Sequence, residues 1–197
     1  MSGFRMRRHL FSITVAACLA VLGGPAFSQT SGTPERFTAI AVNTGSPGRA
    51  WTDRVEIVVN RWSTAREQER LLSSLWEKGP EKMLDTLRDM PRVGYFRTPT
   101  SIGYDLHYAR RTPLPDGGER VVLATDRRIS FWEAANQPRS IDYPFTVIEL
   151  HINNDGTGEG KMSVATKITG DQRTNTLVLE NYATQPVMLN DARRERS

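Results

Sequence analysis

The residues best suited to chemistry fall in two short pairs. Asp105 and His107 lie in the segment YDLHY (104–108), and Glu149 and His151 lie in ELH (149–151). Side chains two apart on a strand share a face, so each pair is expected to point one way if its segment is extended. A carboxylate beside an imidazole orients the ring and raises its basicity, as a general base requires. If the two segments were neighbouring strands, two imidazoles and a carboxylate could also hold a metal. The simpler reading is that polar residues at every second position form the solvated face of an antiparallel sheet. A hydrolase or metal-assisted enzyme built on Asp105, His107, Glu149 and His151 therefore requires those strands to lie side by side.

No stronger catalytic signature is present. The chain has no G-x-S-x-G elbow, no H-E-x-x-H, no P-loop and no dinucleotide fingerprint. The run NNDGTGE (153–159) reads as a turn; aligned as a calcium loop, it would put Met162 where a bidentate Glu belongs. No cofactor and no metal is expected.

Aromatic and basic residues suggest a different use. Tyr104, Leu106 and Tyr108 would share one face of a strand. On a curled sheet such a face lines either a packed core or a pocket, and tyrosine hydroxyls suit a partly wet one. Arg forks bind carboxylates and phosphates and stack on aromatic rings. Arg97, Tyr104, Tyr108, Trp132 and Tyr143 are therefore the candidate ligand-binding residues. The alternative is that the arginines form a solvated sheet face balanced by acids.

The start of the chain gives an address. Arg5, Arg7 and Arg8 precede an apolar run, which Gly23, Gly24 and Pro25 break before small residues at Ala26 and Ser28. This is the pattern of a secretory signal over residues 1–28, too short to span a bilayer comfortably. The paired arginines also fit a twin-arginine route. Cys18 could serve as a lipid-anchoring cysteine, but the residues after it stay apolar, so it reads as filler. Periplasmic or secreted localisation is expected, with no membrane span once the leader is removed.

Of the 197 residues, 26 are Lys or Arg and 22 are Asp or Glu. The leader holds three of the basic residues and none of the acidic ones, so the mature chain is nearly neutral. That gives sequence-independent nucleic-acid binding little support. Cys18 is the only cysteine, so the mature chain has no disulfide, no thiolate nucleophile and no Cys-ligated zinc. Such a chain is held by its core.

The elements that would position these residues read as one α+β domain over residues 29–190. Strands are expected at 37–42 and 55–59. Thr64 followed by Glu67 is a capping box, and Leu71, Leu72, Leu75 and Trp76 recur at helical spacing. Gly79 and Pro80 end that helix and open a second, carrying Met83, Leu84, Leu87 and Met90, which Pro91 stops. Residues 64–90 thus form a helical hairpin. Further strands are expected at 92–97, 104–111, 119–125, 145–152, 161–168, 176–182 and 187–189, before a charged tail at 191–197. Turns at 115–118, 154–158 and 170–171 make the sheet antiparallel. About eight strands should curl, with the helical hairpin packed on the concave face.

The order of elements is similar to helix-grip and cone-shaped ligand-binding folds, without their long C-terminal helix. The segments MPRVGYFR (90–97), GYDLHY (103–108) and PFTVIEL (144–150) resemble small exported bacterial proteins of unassigned function. That resemblance carries over no site. The leading expectation is a non-catalytic exported domain that binds a small amphipathic or anionic ligand, or a partner protein of the cell envelope. The alternatives are the enzyme described above and a structural assembly factor of the envelope.

Overall fold

The computed structural model describes residues 33–43, 51–127, 146–164, 167–171, 176–180 and 186–195. Residues 1–28, with Cys18, and the candidates Trp132 and Tyr143 lie outside the described residues. Strands β1 (Glu35–Asn43) and β2 (Trp51–Val59) precede helices α1 (Ala65–Lys78) and α2 (Pro80–Arg88). Then follow β3 (Gly94–Arg97), β4 (Tyr104–Leu106), β5 (Tyr108–Pro113), β6 (Glu119–Thr125), β7 (Thr146–Ile152), β8 (Thr157–Val164), β9 (Lys167–Asp171), β10 (Thr176–Glu180) and β11 (Val187–Glu195). No helix among the described residues is long and apolar enough to cross a membrane.

The expected helical hairpin is present. Thr64 accepts from the Glu67 N–H, and the Glu67 side chain answers to the Thr64 N–H at 2.7 Å. Gly79, at φ 84°, turns the chain out of α1 in a conformation that costs glycine little. Pro80 then opens α2, where no N–H is needed.

Nine strands form one antiparallel sheet in the order β4-β3-β2-β1-β11-β8-β7-β6-β5, and β9 and β10 pair separately. The sheet's two edges, β4 and β5, belong to one extended segment interrupted only by His107. Its first part pairs with β3 and its second with β6. The curled sheet thus closes on itself as a barrel with eight positions around the wall. A barrel of that size is just wide enough for side chains to fill. Phe37, Ile57, Phe96, Leu106, Leu123, Ile148 and Leu150 fill this one, each with no exposed surface.

Because the interior is full, the helical hairpin lies elsewhere than expected. Its stripe of Leu71, Leu75, Met83, Leu84, Leu87 and Met90 packs on Tyr108, Ala124 and Val147, on the outer surface of β5, β6 and β7. These alternate along their strands with the inward residues Ala109, Leu123 and Ile148. The helices therefore sit on the convex face. Each buried aliphatic there contributes roughly 1.5–3 kcal/mol, which holds the hairpin on the wall.

Several element limits also differ from expectation. β11 continues through the charged segment to Glu195, paired with β1 and β8. Gly170 and Asp171 belong to β9, opposite Leu177 and Thr176, rather than to a turn. Residues 161–168 divide between β8 and β9.

Two irregularities re-aim side chains. At His107 the backbone N–H bonds to Ala124 O at 2.9 Å, while Tyr108 is the register partner of the same Ala124. Two residues oppose one, which is a β-bulge, and alternation changes phase there. In β11 the register slips between Leu189 and Ala192 against β8, with Asp191 at φ 52°. Inward positions before the slip are Val187 and Leu189; after it they are Ala192 and Arg194.

Candidate functional site: the two ends of the barrel

The barrel's two ends are chemically unlike. One end gathers the start of β1, the end of β11, and the tight turns that join β5 to β6 and β7 to β8. Alternation aims Glu35, Arg111, Glu119 and Arg194 inward at this end, where strand pairing gives out. They seal it with ion pairs. Glu35 meets Arg111 at 3.0 Å and Arg194 at 3.4 Å, and Arg194 meets Glu119 at 2.6 Å. The Trp62 indole N–H donates to Glu35 at 3.1 Å. The two guanidinium groups also cover apolar rings, Arg111 over Trp62 at 5.1 Å and Arg194 over Phe37 at 5.4 Å. Cation–π contacts of this kind add to the seal.

The other end gathers the strand ends that flank residues 44–50, 98–103, 126–145 and the stretch holding β9 and β10. Inward positions turn polar there. Asn43 continues the run of Phe37, Ala39 and Ala41, and Trp51 is its partner on β2. Thr125 and Thr146 face each other on β6 and β7, both buried. Arg127 is tied back between them: Thr125 Oγ1 accepts from its N–H at 3.4 Å, and Thr146 Oγ1 donates to its carbonyl at 3.1 Å. Tyr104 and Trp51 are half-buried and pack on the core, with the Tyr104 ring 6.4 Å from Phe96. This mouth offers hydroxyl, amide and aromatic groups at the edge of an apolar interior, the mix that recurs in ligand sites at barrel mouths.

The sequence-derived candidates scatter over this frame. Tyr104 reaches the mouth. Tyr108 does not share its face, because the His107 bulge turns it outward beneath the helical hairpin. Burial there pushes the Tyr108 hydroxyl up to about 12. Arg97 points outward from β3, bonding Glu56 at 2.6 Å and lying 5.5 Å over Tyr95.

The two acid–imidazole pairs do not come together either. His107 is in the bulge, so Asp105 and His107 take different partners: Asp105 pairs with Arg92 at 3.0 Å. His107 Nδ1 lies 2.8 Å from Met90 O, a carbonyl that can only accept, so Nδ1 carries the proton. Its Nε2 faces Asp126 at 3.6 Å, and Arg88 approaches the same carboxylate at 3.9 Å. Both ring nitrogens are turned to groups of the protein, and His107 ties the exit of α2 to the bulge.

Glu149 and His151 share the outer face of β7 as expected. Burial pushes the Glu149 carboxyl up, but the Arg120 hydrogen bond at 2.8 Å and the charges of Arg120 and Lys161 outweigh it and hold it below the usual value. His151 is half-exposed, with Nε2 3.3 Å from Asp116. β6 stands between β5 and β7, and the two histidines flank its opposite ends, His107 beside Ala124 and His151 opposite Arg120. The strand adjacency that a shared metal or catalytic centre required is absent. Among the described residues no group of three or more His, Cys, Asp or Glu is placed to hold a metal ion.

Sequence reasoning passed over Asn43, Trp51, Thr125 and Thr146. A signal was available: each closes an apolar alternation with a polar or amphipathic residue just beside a long connection. Comparison of the chain with family models, curated proteins and solved structures finds no match.

Proposed function

We propose that this is an exported, non-catalytic recognition domain that takes a small amphipathic ligand at the loop-bearing mouth of the barrel. The observation that carries the reading is the asymmetry of the ends. One is sealed by Glu35, Arg111, Glu119 and Arg194, and the other presents Asn43, Trp51, Tyr104, Thr125 and Thr146 at the strand ends that flank residues 44–50, 98–103 and 126–145. Loops held by a rigid scaffold are where binding residues concentrate. These five residues supply hydrogen-bonding and stacking groups, and none of the five is an acid or a base, which suits binding rather than turnover. Export rests on the leader pattern at 1–28.

A second reading, docking of an envelope protein at the same end, is favoured by Ile102. This isoleucine is wholly exposed in the β3–β4 connection. Thr98 and Ser101 brace that connection through a 2.9 Å bond from Thr98 N–H to Ser101 Oγ. Burial of this side chain by a partner would contribute roughly 1.5–3 kcal/mol.

Fluorescence titration with the amphipathic probe 1-anilinonaphthalene-8-sulfonate tests the first reading. Saturable binding weakened at least tenfold by Tyr104→Ala, and unchanged by Tyr108→Phe, is expected. Equal binding by wild type and Tyr104→Ala would overturn it.

A further inference from the structure

The helical hairpin covers only the β5–β7 side of the barrel. On the wall made by β3, β2, β1 and β11, Ile40 and Met188 stand about two-fifths exposed. Two adjoining grooves, of about 450 and 490 Å³, cross this wall and share Thr38 and Arg54. Four arginines line them: Arg36, Arg54, Arg97 and Arg193.

Three of the four are committed. Arg36 and Arg97 converge on Glu56. Arg36 also lies 3.7 Å from Glu195, and Arg193 pairs with Asp191 at 3.1 Å. Arg54 is different. Its backbone N–H bonds to Asp53, but among the described residues its guanidinium has no carboxylate partner. It projects from β2 with Ile40 as its register partner on β1, so an unpaired fork lies beside exposed aliphatic surface.

Glu56 shows what this wall does with an oxyanion. Its carboxylate is only 17% exposed and takes guanidinium groups from both sides. Planar forks match carboxylates in this way. We infer that the shared groove is a second binding site, distinct from the mouth, for a small carboxylate with a short aliphatic tail: Arg54 anchors the carboxylate and Ile40 receives the tail. Glu56 is the built-in competitor. While it is charged it holds Arg36 and Arg97, so that of the four groove arginines Arg54 is the one without a carboxylate partner among the described residues.

Two substitutions therefore act in opposite directions. Isothermal titration of the purified protein with hexanoate should give saturable binding that Arg54→Ala weakens at least tenfold. Glu56→Gln releases two guanidinium groups and should tighten binding severalfold. Arg66→Ala, an exposed arginine on α1, should leave it unchanged. Inorganic phosphate, which has no tail, should bind more weakly than hexanoate. Unchanged binding by Arg54→Ala, weaker binding by Glu56→Gln, or tighter binding of phosphate than of hexanoate would each overturn the proposal. The Tyr104→Ala titration at the mouth reads out separately, so either site can fail alone.

Discussion

Tyr104 and Tyr108 stand on opposite sides of the barrel wall, although they are four residues apart on one extended segment. Tyr104 packs inward on Phe96, and Tyr108 packs outward beneath Leu71, Leu75 and Leu87. The extra residue at His107 separates them. Tyr108 is therefore a structural anchor for the helical hairpin. Tyr108→Ala should cost about 3 kcal/mol, as a large buried aromatic does, and Tyr108→Phe well under half of that. Urea denaturation measures both.

Tyr108 also sets an alkaline limit. Its folded value, about 12, lies above the ordinary value of 10.0 because burial disfavours the phenolate. A group raised in the folded state contributes stability that is fully present below its unfolded value and is lost as pH rises through the folded one. Melting temperatures measured from pH 9 to 12 should fall less steeply for Tyr108→Phe than for wild type. Identical slopes would count against burial of this hydroxyl.

Glu35 is the centre of the sealed end, receiving Trp62, Arg111 and Arg194. Glu35→Ala leaves a buried indole N–H and two half-buried guanidinium groups short of an acceptor. The expected loss is roughly 1–3 kcal/mol. Arg111→Ala should add less in the Glu35→Ala background than alone, because both act through one carboxylate. Full additivity in a denaturation cycle would contradict the network.

Acid should weaken the start of α1. The Arg61 hydrogen bond, at 2.8 Å, and the capping contacts with Thr64 hold the Glu67 carboxyl below its ordinary value of 4.5, against the effect of burial. For a lowered carboxylate, the stabilising contribution is present above the unfolded value and disappears as pH falls through the folded one. Glu149 behaves alike, with burial again opposed and outweighed by Arg120 and Lys161. Thermal stability should therefore decline below about pH 4.5, and less so in Glu67→Gln than in wild type. At neutral pH, Thr64→Ala should cost about 1 kcal/mol through the lost cap.

Local chemistry made part of this fold readable from sequence. Thr64, Glu67, Gly79 and Pro80 mark the helical hairpin because capping and helix termination depend on near neighbours. The turns at 115–118 and 154–158 imply antiparallel pairing for the same reason. What sequence could not show depends on partners far along the chain. The bulge at His107 and the slip at Asp191 are one-residue insertions with no composition of their own, yet they decide which face Tyr108 and Arg194 take. Glu35 and Arg194 meet across nearly the whole described chain. The helical hairpin was expected on the concave face because nothing local revealed that the sheet closes and fills its own interior. Of the ligand-binding candidates among the described residues (Arg97, Tyr104 and Tyr108), Tyr104 is the one placed at the mouth, because its inward direction follows from alternation with Leu106, before the bulge intervenes.

The central point is which part of the barrel receives the ligand. Amide and indole shift mapping by NMR during titration with 1-anilinonaphthalene-8-sulfonate addresses this most directly. The prediction is a cluster of perturbations at Asn43, Trp51, Tyr104, Thr125 and Thr146, with the sealed end unperturbed. A cluster centred instead on Glu35, Trp62 and Arg111, or shifts spread evenly over the barrel, would contradict it.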